Sequence, residues 1–198
     1  DSPTMNLLIL GLVLFLGIHS ARVFGDRARQ GFIDRFGPMA WKGVYSVVSL
    51  VGFVLMIKGY GAARLEPAVL WVPPVGLRHA ASMLTLVAFI LLAAAYVPGN
   101  VIKARLGHPM TLAVKSWALA HLLANGHVAD VLLFGGFLVW AVLVFRAARA
   151  RDRLNPPAPV TVRPMALVLC VAGGTLAWVG FAFWAHAVLI GVRPFGGA

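Results

Sequence analysis

Acid is scarce in this chain, and so is sulfur. Six acidic side chains in 198 residues leave too few carboxylates for calcium or magnesium sites or for paired-carboxylate catalysis. Apart from Asp1 they are Asp26, Asp34, Glu66, Asp130 and Asp152, all at or near the ends of apolar runs. The single cysteine, Cys170, excludes an internal disulfide and any cysteine pair at zinc-ligand spacing, and leaves the redox compartment unreadable. No period of 20–50 residues marks a repeat array. No long polar stretch marks a separate soluble domain.

What fills the chain instead is apolar. Hydrophobic residues make up 61% of it and the mean hydropathy is +0.89, well above the share in soluble domains. Six runs approach the roughly 20 residues that cross a bilayer, at about 6–24, 40–60, 78–97, 108–126, 128–148 and 165–190. Breakers separate them: "FGP" at 36–38, "EPAVLWVPP" at 66–74, "YVPGN" at 96–100, "NG" at 125–126 and "NPPAPVTVRP" at 155–164. The expected fold is all-α, a polytopic transmembrane bundle of about six spans in one domain over 5–198. The opening "DSPT" is read as preceding a native start at Met5. The first run has no small-residue cleavage site and runs into basic residues, so it is expected to stay as a membrane helix.

The formal net charge is +11, and its placement argues against nucleic acid as a partner. Twelve of the seventeen Lys and Arg residues fall in three connections, 22–42, 98–107 and 146–164, which share one side of a six-span protein. By the positive-inside rule that side is cytoplasmic and both termini are periplasmic. The last connection, basic and then proline-rich, is expected to lie on an anionic leaflet.

Polar nitrogen within such runs is costly and usually has a purpose. "GHPMTLAVKSWALAHLLANGH" (107–127) carries His108, Lys115, His121 and His127. His19 lies well inside the first run, with Arg22 one helical turn on, placed to snorkel or to meet a bound carboxylate such as a haem propionate. Behind His121, helical spacing gives Ala118, Trp117 and Val114, a small-and-aromatic stripe that serves either packing or a flat ligand. His108 and Lys115 share a face about 120° from His121. His108 precedes Pro109 at an expected helix start, and Lys115 pairs, snorkels or offers a Schiff-base amine. His79, His127 and His186 fall near the outer ends of their runs, where imidazole is easily hydrated. Imidazole without carboxylate or thiolate neighbours suits zinc only if three or four converge. Two histidines on different helices of an apolar bundle suit haem best, with structural histidines as the plain alternative.

Three segments, "LGIHSARVFGDRAR" (16–29), "WKGVYSVVSLVGFVL" (41–55) and "GHPMTLAVKSWALAHLLANG" (107–126), together resemble the NnrU family of bacterial membrane proteins over most of the chain. That family is related to the 15-cis-zeta-carotene isomerases, which use haem b. The resemblance implies a multi-pass protein of the bacterial inner (cytoplasmic) membrane, associated with denitrification and nitric oxide, with haem b as cofactor. It implies axial ligands at His19 and His121, with His79 and His108–Pro109 as further shared positions. Nitric oxide or an apolar polyene is the implied ligand; no redox partner is indicated. One departure concerns the isomerase cysteine, which falls on Ala118, so a thiolate-for-imidazole switch is absent here.

Opposite chain directions place His19 about 6 Å inside the midplane and His121 about 6 Å outside it, with His79 and His186 as other partners for His121. If the protein is an enzyme, a cis-trans isomerase is the implied activity. A His-Pro pair opening a membrane helix also resembles S-adenosylmethionine-dependent membrane methyltransferases, although Gly107 stands where those carry Arg and Asp152 is the only acid after the next helix. A structural accessory protein without cofactor is the third reading.

Overall fold

A computed structural model of the chain describes residues 3–65 and 67–195; Glu66 and the extreme termini named above lie outside them. The helices in chain order are α1 (Pro3–His19), α2 (Ala21–Phe24), α3 (Asp26–Phe36), α4 (Pro38–Ala63), α5 (Val75–Tyr96), α6 (Val101–Leu106), α7 (Pro109–Ala124), α8 (Val128–Leu154), α9 (Pro164–Gly180) and α10 (His186–Ile190). A π turn over Phe181–Ala185 carries α9 into α10. Proline opens α4, α7 and α9 at the position where its missing N–H costs nothing.

Among the described residues, four helices are long and apolar enough to cross a membrane: α4, α5, α8 and the α9–α10 run Pro164–Ile190. The other two expected spans are shorter. α1 has 17 residues and α7 has 16, or about 25 Å each against a hydrocarbon core of about 30 Å. The first stops early because the Ser20 hydroxyl turns back to the carbonyl of Leu16 (2.7 Å), and the chain restarts in α2 and α3. α3 is amphipathic with no buried residue; Phe32 packs tilted against Phe36 and edge-on to Trp41, while Arg27 and Arg35 are exposed.

Neighbouring helices pack in the order α4, α1, α8, α7, α5, α9. α1 and α4 run antiparallel with backbones almost touching: a Cβ on Gly11 would collide with the Met56 nitrogen, and one on Gly59 with that of Leu8. Small residues permit that approach, which is how apolar helices attract in lipid. Gly174 does the same against Ile90 where α9 meets α5, and Trp178 Nε1 donates to Thr85 Oγ1 across that contact (3.0 Å). The buried core lies between α1, α4, α7 and α8, around Leu8, Leu12, Met56, Ala118, Leu133 and Phe134. At the end opposite the basic connections, the loop 67–74 is laced to the α7–α8 turn. Leu70 N and Trp71 N both donate to Gly126 O, Val128 N donates to Ala68 O, and Val69 bridges His127.

Candidate functional site

Both inward histidines hold the same posture. His19 Nδ1 donates to the carbonyl of Phe15 (2.7 Å) and His121 Nδ1 to that of Trp117 (2.9 Å), each four residues back on its own helix. In a neutral ring that leaves the lone pair on Nε2, and a fixed Nδ1–H is the usual support behind a metal-binding imidazole. His19 stacks on Phe15 at 4.2 Å and lies 5.1 Å from the Tyr45 ring and 6.3 Å from that of Trp140. His121 stacks on Phe134 at 4.5 Å and lies 5.2 Å from Trp117.

An aromatic column joins the two. From Phe15 the next ring is Phe137 at 5.9 Å, and from there Trp117 at 5.4 Å. On α8, Trp140 marks the level of His19, Phe134 that of His121 and Phe137 the level between, so the histidines are offset by about 9 Å along that helix. The direction of the offset is the one expected from the antiparallel chain directions.

The surroundings fit a b-type haem in donor chemistry. Trp140 Nε1, beside His19, and Ser49 Oγ are buried without a hydrogen-bond partner. Orphaned donors of this kind are costly, and they are satisfied when an acceptor such as a carboxylate arrives. An apolar groove of about 670 Å³ opens between α1 and α8, lined by Leu16, Gly17, Gly136, Val139, Trp140 and Leu143 among others. Nothing lies within 4 Å of where a Gly17 side chain would start. Because Phe137 and Trp117 occupy the level between the histidines, their Nε2 atoms share one iron only where those rings give way.

The remaining positions fall elsewhere. Arg22 is exposed on α2, beyond the break at Ser20, and makes no hydrogen bond or ion pair with His19. His79 is exposed on the first turns of α5. His186 donates from Nδ1 to Val192 O (2.7 Å). His108 caps α7 at the far end from His121, its Nε2 2.8 Å from Asp152 Oδ2. Lys115 Nζ lies 4.1 Å over the Phe145 ring, in the geometry of a cation–π contact. Among the described residues no three or more His, Cys, Asp or Glu side chains are grouped to hold a metal ion.

One functional-looking residue escapes sequence reasoning. Asp130 is 2% exposed. Its carboxylate accepts from Tyr60 Oη (2.6 Å), from the His127 backbone N–H (3.0 Å) and from His127 Nδ1 (2.8 Å). The Tyr60 ring meets Phe134 edge-on, so this network abuts the His121 side of the column. A sequence signal existed in part, as acid three residues past a helix start is the capping pattern. Its partner Tyr60 lies on another helix and gave none.

A protein-family model described as "NnrU protein" matches residues 7–194. No curated protein and no solved structure matches the chain.

Proposed function

The chain belongs to the NnrU protein family, and on that premise we propose that it is a membrane protein holding a b-type haem, with His19 and His121 as axial ligands. The observation that carries this reading is the matched posture of the two imidazoles. Each spends its Nδ1–H on a carbonyl one turn back and keeps Nε2 free among aromatic walls. Haem so held supplies electron transfer or the binding of a small diatomic such as nitric oxide, and the family's association with denitrification makes nitric oxide the first ligand to try.

The protein's own part is positional. Phe15 and Trp117 carbonyls fix ring orientation, Phe137 and Trp117 would have to shift to admit the group between the histidines, and the free N–H of Trp140 offers a hydrogen bond to a carboxylate or a polar ligand atom. The groove beside Trp140 is apolar enough for a polyene, which keeps cis-trans isomerisation as the activity to assay. Ala118, fully buried in the core, brings no thiolate to that chemistry.

The test is the visible spectrum of the detergent-solubilised protein, oxidised and reduced, beside His19→Ala and His121→Ala. A low-spin b-type spectrum in the parent, lost or turned high-spin in both variants, is the expected result. A protein that stays colourless after haem is supplied overturns the reading and turns attention to S-adenosylmethionine at His108. If only one variant changes the spectrum, the other histidine is not a ligand.

A further inference from the structure

α8 is longer than the membrane it crosses. Its 27 residues span about 40 Å, some 10 Å more than the hydrocarbon core, so the turns from Arg146 onward emerge among the phosphates of the basic-side leaflet. There the side chains on one helix, Phe145, Arg146, Ala147, Arg149, Ala150 and Arg153, frame a shallow, open groove of about 570 Å³. The three arginines recur at three- and four-residue spacing and so share one face.

We infer that this groove binds the phosphate of an anionic phospholipid, with an acyl chain laid along Phe145 toward the membrane interior. Charge complementarity is the first argument. Arg146 and Arg153 are exposed and have no acidic partner among the described residues, while Arg149 has there only Asp152, at 3.9 Å and already engaged by His108. Three guanidiniums therefore face one concavity with little to neutralise them, and guanidinium matches a phosphate in bidentate fashion.

The second argument is the lining. A site for free phosphate has no use for an apolar floor, whereas here Ala147 and Ala150 lie among the arginines and Phe145 borders the spanning part of α8. Lys115 covers one face of the Phe145 ring, adding a cation at the apolar end. Backbone geometry contributes as well: Gly107 holds φ +78°, and a Cβ there would lie 3.2 Å from Arg149 Nη1. The absent side chain leaves Arg149 its room.

Native mass spectrometry of the full chain in detergent, titrated with phosphatidylglycerol or phosphatidylcholine of the same acyl chains, tests the site. Basic residues near a charged leaflet are worth roughly fivefold in affinity each. The expected outcome is one phosphatidylglycerol retained at least about tenfold more tightly than phosphatidylcholine, with Arg146→Gln alone lowering that preference about fivefold and Arg146→Gln/Arg149→Gln/Arg153→Gln abolishing it. Arg27→Gln/Arg151→Gln, which removes charge off the groove, is expected to keep it. Equal retention of both lipids by the parent protein, or an unchanged preference in Arg146→Gln, overturns the inference. Displacement of phosphatidylglycerol by millimolar inorganic phosphate assigns the groove to a free anion and overturns it equally.

Discussion

Three donors converge on one carboxylate at Asp130, which is itself buried. Removing that carboxylate takes the acceptor from the partly buried Tyr60 hydroxyl and from both His127 groups. Asp130→Ala is expected to cost about 3 kcal/mol and Tyr60→Phe about 1 kcal/mol. Because the two share a hydrogen bond, the double variant should fall short of the sum. Unfolding in mixed micelles titrated with dodecyl sulfate measures all three, and strict additivity would show that the bond carries no energy. At this scale the sequence spoke clearly where partners are local. His19 with Phe15 and His121 with Trp117 are each one turn apart, and helical spacing alone brings them together. It was silent on Asp130 with Tyr60 and on His108 with Asp152, because those pairs join separate helices and depend on how the helices face one another.

Helices α1 and α4 illustrate what an element can and cannot reveal of itself. Their glycines were visible, yet nothing in the order of residues distinguished Gly59, pressed against Leu8, from Gly61, which has no atom within 4 Å of where its Cβ would be. Gly11→Ala and Gly59→Ala are expected to force the pair apart and destabilise by about 1–3 kcal/mol each. Gly61→Ala should be neutral or stabilise by about 0.5–1 kcal/mol, as alanine is the better helix former. Equal losses at all three positions, read from the same unfolding titration, would refute the close approach. Element ends were readable wherever proline or glycine punctuates the chain. α3 was missed because it is short and polar on one side, and six spans were expected where four helices among the described residues have the full length, α1 and α7 being shorter at 17 and 16 residues. Hydropathy counted the residues flanking His19 and Asn125 as part of their runs, whereas side chains capping the backbone end the helices sooner.

For the whole molecule, antiparallel packing gathers the three basic connections at one end, as the charge count anticipated. With Cys170 buried and replaced by serine, single cysteines report which side is which. Val72→Cys, on the loop 67–74, should react with a membrane-impermeant maleimide added to intact spheroplasts. Leu154→Cys, at the end of α8, should react only after permeabilisation; the reverse pattern would invert the topology. The lacing of loop 67–74 to the α7–α8 turn has a consequence for the time course of assembly. Gly126 accepts from Leu70 and Trp71 so closely that a Cβ there would collide with the Trp71 oxygen. As the chain leaves the ribosome, the first four helices must therefore wait with that loop unfastened until the start of α8 has emerged. A protease acting on the outer face should cut between Ala68 and Trp71 in nascent chains truncated before residue 125, and spare the same peptide bonds once synthesis has passed α8.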